Sequence, residues 1–201
     1  MAKSRRTKST VFDTITLEGG LISSAMLAQI ADRKAGNQAE ADYGVPKGLT
    51  LRDEIARYYR IAAALFQDFA ASPHPSPETA VGFTQDLLAQ VLGFCDLERR
   101  DTRDGVALSA KNGRVPVVVV PPVDDLDHAS TWLTGEGRRR SAASALQDWL
   151  NHHDDALWGF CTNGELLRLM RDNASLTRPA YVEVDLREIF DGENFADFAA
   201  A

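Results

Sequence analysis

The sequence predicts an α+β (α/β) fold, in which a helical N-terminal region precedes a small mixed sheet. Apolar residues recur at helical spacing between residues 51 and 71, which predicts a long amphipathic helix. Two pairs of apolar runs follow, over 106–120 and 156–171, and each pair is divided by Asn-Gly. A helical segment lies between the two pairs. Helices followed by hairpins are typical of α+β domains.

Two helices are predicted in the N-terminal half, after a basic extended arm over residues 1–20. The first helix is short, over 23–34, and a polar loop follows it. The second begins after Thr50, whose side chain is suited to cap a helix. Asp53, three residues later, completes a capping box with a shorter acid than usual. We expect the apolar stripe of this second helix to face the core.

A segment rich in serine and proline, over 72–77, separates the second helix from the third. Ser76 is placed to cap the third helix, and Pro77 is placed to occupy its first turn. Gly93 is placed to end it, so the expected span is 77–92. This segment is also where we expect a boundary between the helical region and the domain that carries the sheet.

The strand region is predicted to begin with a hairpin. Its strands are 106–110 and 115–120, and Asn112-Gly113 favours a tight two-residue turn, because both positions need positive φ. The second strand ends in four consecutive valines, which indicates burial on both faces. Further strands are expected at 156–161, 166–171 and 181–185, and one helical turn at 186–190.

Composition indicates an ordinary globular chain. Hydrophobic residues make up 44% of the 201 residues and charged residues 25%, which excludes a wholly disordered or collagen-like chain. No apolar run approaches the roughly 20 residues of a membrane span, and no secretory signal follows the N-terminal cations. Cys95 and Cys161 form no CxxC motif and are expected to be reduced thiols. These features predict a cytoplasmic protein with no membrane partner.

The net charge of −7 argues against a free-standing nucleic-acid-binding domain, because such domains are usually basic. The charge is uneven, however, since residues 1–8 carry four cations and no acid. A second basic cluster lies at the predicted start of a helix, where cations oppose the helix dipole and need another reason to be present. That cluster is either a solvated helix start or a phosphate contact. The candidate DNA-binding residues are therefore Lys3, Arg5, Arg6, Lys8, Arg138, Arg139 and Arg140.

Standard catalytic and metal-binding motifs are absent from the sequence. It lacks the phosphate loop GxxxxGK(S/T), the nucleophile elbow GxSxG and the zinc motif HExxH. His152-His153-Asp154-Asp155 is best explained as a solvated helix end, because adjacent histidines point to different sides of a helix. Asp124, Asp125 and Asp127 supply oxygen ligands that suit Mg²⁺, but the other ligands and the glycine of a calcium loop are missing. We assign no catalytic residue, and Asp124 and Asp125 are the remaining candidates for a metal.

A dense set of motifs lies between residues 147 and 186. It comprises Gln147-Asp148-Trp149-Leu150-Asn151, Leu157-Trp158-Gly159-Phe160-Cys161-Thr162-Asn163-Gly164, Leu167-Arg168-Leu169-Met170-Arg171-Asp172-Asn173, Thr177-Arg178-Pro179-Ala180-Tyr181 and Glu183-Val184-Asp185-Leu186. With the opening segment from Arg5-Arg6-Thr7-Lys8-Ser9 to Gly19-Gly20-Leu21-Ile22, and with Tyr43-Gly44-Val45-Pro46, these motifs resemble the N-terminal region of large adenine-specific DNA methyltransferases of the type IIG restriction–modification kind. The chain looks most like the methylases of bacterial anti-phage defence systems such as DISARM and BREX.

This resemblance implies a parent protein much longer than the present chain. The catalytic domain of such methyltransferases, with its S-adenosylmethionine site, follows this region, so no cofactor is expected here. The Asn-Pro-Pro-aromatic motif is also absent, since Val120-Pro121-Pro122-Val123 carries only the prolines. The chain then corresponds to an N-terminal part, a split subunit or a truncated reading frame. Expected partners are DNA and a methyltransferase domain or other defence-system subunits.

In type IIG relatives, the resemblance implies that this region is a PD-(D/E)xK nuclease domain. The order in that domain is a helix, a hairpin with an Asp and a (D/E)xK, a helix with a Gln, and a strand that reads T-N-G. Helix 77–92, hairpin 106–120, Gln147 and Thr162-Asn163-Gly164 match that order. The strand that should end in Glu-x-Lys instead reads Val119-Val120-Pro121-Pro122-Val123. A fold of degenerate nuclease type is therefore expected, without the two carboxylates and the lysine of a metal-dependent nuclease.

Three functions remain open on this reasoning. The first is a non-catalytic DNA-engaging or scaffolding N-terminal domain of a defence-associated adenine methyltransferase. The second is an active Mg²⁺-dependent nuclease that uses Asp101 or Asp104 with Asp124 or Asp125. The third is a protein–protein adaptor, which the acidic net charge favours. The expected organisation is a basic arm over 1–20, a helical region over 21–72, a nuclease-like α+β domain over 76–190 and a tail over 191–201.

Overall fold

The fold is known from a computed structural model that describes residues 12–100, 105–135, 138–172 and 180–201. Within these ranges there are six helices and nine strands. The helices are α1 (Ser24–Ala31), α2 (Leu51–Ala70), α3 (Pro77–Gln90), α4 (Ala142–Asn151), α5 (Leu186–Asp191) and α6 (Phe195–Phe198). The strands are β1 (Ile15–Glu18), β2 (Glu98–Arg99), β3 (Val106–Ala110), β4 (Val115–Val119), β5 (Thr134–Gly135), β6 (Arg138–Arg139), β7 (Trp158–Thr162), β8 (Leu166–Arg171) and β9 (Tyr181–Asp185). The predicted mixture of helices and a mixed sheet is confirmed.

Seven strands form one mixed sheet, in the order β1-β9-β8-β7-β4-β3-β2. Every neighbouring pair is antiparallel except β4 and β7, which run parallel with Val117 opposite Phe160. The connection between these two strands contains α4, as a parallel pair requires. The sheet is larger than the small sheet that the sequence predicts. Residues 15–18, within the segment expected to be an arm, join it through β9, and residues 98–99 add the opposite edge strand.

Helices cover the sheet on both faces. On one face, α2, α3 and α5 bury a cluster that includes Phe66, Phe69 and Leu88 against apolar residues of β3, β4, β8 and β9. On the other face, α4 packs Leu146 and Leu150 against the opposite residues of β3, β4, β7 and β8. The valines of β4 point alternately into these two clusters, which confirms the prediction of a strand buried on both faces. Since α2 and α3 lie in one cluster, the Ser-Pro segment between them connects two helices of the same core.

The helix starts follow the predicted caps. Thr50 and Asp53 form the reciprocal capping box, in which each side chain accepts a hydrogen bond from the other's backbone N–H. Ser76 caps α3, and Pro77 occupies its first position. Ser141, which was not predicted as a cap, caps α4 with the help of Ser144. These local signals act within one helical turn, so they could be identified without knowledge of the tertiary structure.

One local prediction, the two-residue turn between β3 and β4, differs from the structure. The β3–β4 connection is a four-residue loop over 111–114, because Ala110 pairs with Val115. Lys111, Asn112 and Gly113 all have positive φ, so Asn-Gly contributes to a longer turn than the predicted two-residue one.

None of the helices in the part of the chain that the structure describes is long and apolar enough to cross a membrane.

Candidate nucleic-acid interface

The parallel strands β4 and β7 end side by side, and this end of the sheet is called the C-terminal edge below. Val119 pairs with Thr162, and the N–H of Val120 donates to the carbonyl oxygen of Thr162 at 2.9 Å. Two segments leave the sheet here. Residues 121–133, called the connecting segment, lead from β4 to β5, and the turn 163–165 leads from β7 to β8.

The Thr-Asn-Gly motif forms the turn that leaves β7. The Thr162 hydroxyl donates to the carbonyl oxygen of Leu166 at 2.6 Å and accepts from the N–H of Gly164 at 2.9 Å. The Asn163 Oδ1 accepts from the N–H groups of Glu165 and Leu166 at 3.0 and 2.8 Å. Its Nδ2 donates to the carbonyl oxygen of Asp124 at 3.0 Å. The polar atoms of this motif therefore fix the turn and hold the start of the connecting segment.

A second anchor of the connecting segment is an ion pair with the sheet. Both Asp127 carboxylate oxygens accept from the Arg168 guanidinium, from Nη1 at 2.6 Å and from Nη2 at 3.0 Å. Between the two anchors, Leu126 is fully buried and its carbonyl oxygen accepts from the N–H of Ala143 in α4. The segment is therefore attached to β7, β8 and α4.

Arg168 belongs to a buried charged cluster on the α4 side of the sheet. Its Nε and Nη2 donate to Glu183 Oε2 at 2.9 and 2.6 Å, and its guanidinium lies 4.0 Å from the Tyr181 ring centroid. Arg168 is 1% exposed and Glu183 3%. Burial opposes the charge of Arg168, but the hydrogen bond to Asp127 and the nearby carboxylates outweigh it and raise the Arg168 pKa above its ordinary value. A buried arginine with two carboxylate partners is a rigid fixed point for the connecting segment.

The other aspartates of the connecting segment also have partners. Asp124 accepts a hydrogen bond from the Ser130 hydroxyl. Asp125 accepts from the N–H of Asp127 at 2.7 Å and lies 3.1 Å from His128 Nδ1. Burial raises the pKa of Asp125, but these two hydrogen bonds outweigh it and leave the pKa below its ordinary value. These contacts lie within the connecting segment, so the carboxylates stabilise the conformation of this segment.

The predicted arginine cluster lies on a short β-ribbon rather than on the first turn of a helix. Strands β5 and β6 form this ribbon, with Gly135 opposite Arg138 and Thr134 opposite Arg139. Arg139 is exposed. Arg140 follows the ribbon, is partly buried, and pairs with Asp148 of α4 at 3.4 Å. These arginines precede the Ser141 cap, so they do not lie in the first turn of α4 and do not oppose the helix dipole there.

The remaining predicted residues are not brought to this edge within the described chain. Lys3, Arg5, Arg6 and Lys8 lie outside the described residues, as do Asp101 and Asp104. The histidines at 152 and 153 bind the carbonyl oxygens of Asp148 and Trp149, which agrees with a helix end. No group of three or more His, Cys, Asp or Glu residues that could hold a metal ion occurs in the described ranges.

Two features of this region were missed in the sequence. In the sequence, Arg168 was named only as part of a motif, and its pairing with Glu183 depends on a register between strands that local patterns do not encode. Trp132, which is 48% exposed, lies just before the ribbon. A tryptophan within eight residues of three consecutive arginines was the available signal for it.

In comparisons with known proteins, no family model, no curated protein and no solved structure matches this chain.

Proposed function

We propose that this chain is a non-catalytic, DNA-engaging or scaffolding N-terminal domain of an adenine-specific DNA methyltransferase of the restriction–modification and anti-phage kind. The proposal starts from the resemblance of the motifs between residues 147 and 186. The order of α3, the β3–β4 hairpin, α4 and β7 is compatible with a degenerate PD-(D/E)xK domain. DNA would be its ligand, and the rest of the methyltransferase or another defence subunit would be its protein partner.

The observation that supports a non-catalytic role best is the composition of the C-terminal edge at β4. A metal-dependent nuclease of this type needs carboxylates and a lysine where that strand ends. Here Val118, Val119 and Val120 occupy the end of the strand and are at most 1% exposed. Valine side chains cannot bind a metal ion or activate water. Asp124 and Asp125, which follow, are held by Ser130 and His128.

DNA engagement is supported by the position of the ribbon. Ser130, in the segment that leaves the C-terminal edge, donates its N–H to the carbonyl oxygen of Arg140, which closes the base of the ribbon. Arg139 projects into solvent from this anchored element. An exposed arginine on a fixed backbone is suited to a phosphate oxygen, because the guanidinium offers several donors in one plane. Arg138 and the cations of residues 1–8 remain candidates for phosphate contacts on the ground of their charge alone.

S-adenosylmethionine would belong to the methyltransferase part of the parent protein. The residues here do not fit a methyl-transfer site, since the two prolines at 121 and 122 follow a buried valine instead of an asparagine. An asparagine at that place would bind the target base by hydrogen bonds, which Val120 cannot form. We therefore derive no step through this cofactor.

A plasmid-nicking assay separates this proposal from an active nuclease. The full chain is incubated with supercoiled plasmid and Mg²⁺ or Mn²⁺, and the expected result is no nicking. Nicking that disappears in Asp124→Ala would overturn the proposal in favour of the nuclease, which would use Asp124 or Asp125 with Asp101 or Asp104.

A binding assay tests the DNA contact itself. We expect Arg139→Ala to weaken binding to a DNA duplex and to reduce the slope of log K against log salt by about 1, because one phosphate contact is lost. Arg60→Ala is the matched control, since Arg60 is an exposed arginine on α2, away from the ribbon. Equal weakening by both variants would show only an effect of net charge and would reject the assignment of the ribbon.

A protein–protein adaptor is the remaining outcome of these assays. In that case the wild-type chain would bind no DNA at low salt but would co-purify with a methyltransferase or another defence subunit.

A further inference from the structure

The ribbon formed by β5 and β6 has two different faces. Leu133, one residue before β5, is 3% exposed, and its side chain lies near Gly105 at the start of β3. Arg140, one residue after β6, also lies near Gly105 and pairs with Asp148. The N–H of Arg140 donates to the carbonyl oxygen of Leu133 at 3.2 Å, so these two residues face each other. Together they form the inner face, which attaches the ribbon to the domain.

The outer face carries an arginine and a tryptophan. Arg139 is exposed and adjacent to Arg140, and successive residues of a strand point to opposite sides. Trp132 precedes Leu133 and is 48% exposed. Trp132 and Arg139 are thus each adjacent to a residue of the inner face, Leu133 and Arg140, and both are exposed. The N–H of Trp132 donates to the Ser130 hydroxyl at 3.0 Å, which fixes its backbone.

Trp132 differs from the other two tryptophans of the chain in its surroundings. Trp149 is buried and stacked on His153, with ring centroids 3.4 Å apart, and the Arg171 guanidinium lies 5.6 Å from the Trp158 ring centroid. Within the described ranges, no aromatic ring and no guanidinium lies over Trp132. Its indole ring is thus available to a ligand.

Three acidic residues precede Trp132 in the connecting segment, and each has a partner there or in the sheet, whereas Glu136 lies outside the described residues. Asp124, Asp125 and Asp127 precede Trp132, but Asp124 is bound by Ser130 and Asp127 by the buried Arg168. Asp125 is bound by His128 and by the backbone of the same segment. The outer face therefore has an exposed aromatic ring before β5 and an exposed cation on β6, where Arg139 pairs with Thr134, two residues from Trp132.

We propose that the outer face of the ribbon binds single-stranded DNA, with Trp132 stacked on an unpaired base and Arg139 on a neighbouring phosphate. The inference rests on the proposed DNA-engaging function and specifies its substrate. Aromatic stacking and a basic contact are the two elements that proteins combine to bind single strands. A base within an intact duplex is stacked on both sides and cannot use the tryptophan, so the face favours unpaired DNA over duplex DNA.

The test measures binding of the full chain to a fluorescent oligo-dT and to a duplex of equal length. Wild type is expected to bind the single strand more tightly than the duplex. Trp132→Ala should weaken single-strand binding about tenfold, as loss of one base–aromatic stack does. It should leave duplex binding nearly unchanged. Trp132→Phe should retain most of the affinity, since phenylalanine also stacks.

The matched control is Trp158→Ala, which removes another exposed tryptophan beside an arginine but lies at the start of β7. It should not change single-strand binding. Two results would overturn the inference while the DNA-engaging function stands. In the first, Trp132→Ala binds single-stranded DNA as tightly as wild type does. In the second, it loses affinity for single-stranded and duplex DNA equally. If wild type binds neither form of DNA at low salt, both proposals fail. Because Trp132 is half-exposed, circular dichroism of the variant is expected to match wild type.

Discussion

The carboxylate of Asp197 in α6 accepts two hydrogen bonds from Thr14, one from the backbone N–H at 2.8 Å and one from the hydroxyl at 2.7 Å. Both residues are about 5% exposed. Thr14 directly precedes the edge strand β1, and the N–H of Asp185 donates to its carbonyl oxygen. The C-terminal helix thus holds the N-terminal strand on the sheet.

We expect Asp197→Ala to lower the free energy of unfolding by about 2–4 kcal/mol, because two buried donors of Thr14 lose a charged acceptor. The measurement is chemical denaturation followed by circular dichroism. Asp191→Ala is the control, since Asp191 is an exposed acid whose contact is a long ion pair with Arg187. If both variants have the same unfolding midpoint as wild type, Asp197 does not hold β1 in place.

The second prediction concerns Gly164 in the Thr-Asn-Gly turn. Its φ is +87°, and a Cβ there would lie 2.8 Å from Cε1 of Phe69 and closer still to Cζ. Phe69 cannot easily move, because its ring is stacked on Phe83 with centroids 4.6 Å apart. Gly164→Ala should therefore combine backbone strain with a steric clash.

Gly113 provides the matched control for this substitution. It has the same φ of +87°, but a Cβ there would meet nothing within 4 Å. Gly113→Ala measures the backbone cost alone, about 1 kcal/mol. Gly164→Ala should lose roughly 1–3 kcal/mol more, from overpacking. Equal unfolding free energies for the two variants would contradict the proposed packing of the turn under α2.

The third prediction addresses the buried charged cluster. Arg168→Met should lower the free energy of unfolding by about 3–5 kcal/mol, because Glu183 would remain buried without its cation. The double variant Arg168→Met with Glu183→Leu should recover much of this loss, since an apolar pair of similar volume removes the unpaired charge. Denaturation of wild type, both single variants and the double variant gives the coupling energy. A coupling energy near zero would show that the two side chains do not interact as described.

The two cysteines should differ in reactivity. Cys95 is exposed and Cys161 is buried. Burial raises the pKa of the Cys161 thiol to about 12, so almost none of it is thiolate, the reactive form, at pH 8. We expect a thiol reagent to modify one cysteine in the native protein and both in denaturant. Rapid modification of both native thiols, with Cys95→Ser still reacting, would contradict the burial of Cys161.

Much of the fold could be predicted from local patterns. The capping box of α2, the Ser76-Pro77 start of α3 and the apolar periodicity of both helices identify them within two residues of their ends, and the run of valines identifies β4. The strands β1, β2, β5 and β6 could not be predicted in this way. They have two to four residues each, which is too short for a recognisable alternation, and they exist because distant strands or loops pair with them.

The candidate site was predicted only in part, for the same reason. The arginines at 138–140 were identified as a phosphate-binding candidate from their charge, but their placement on a ribbon depends on pairing with residues 133–135. The ion pair of Asp127 with Arg168 joins residues that are 41 positions apart. No local pattern predicts such a contact. Asp127 was therefore grouped with its neighbours as a metal candidate, although its partner is an arginine.

Engagement of DNA without cleavage can be tested in a single salt titration. The affinity of the full chain for a DNA fragment is measured between about 50 and 200 mM salt, with Mg²⁺ present and the fragment checked afterwards for breaks. We expect binding at low salt, an affinity that falls linearly with salt on a log–log scale, and intact DNA throughout. Absence of binding at the lowest salt, or cleavage of the fragment, would contradict this expectation.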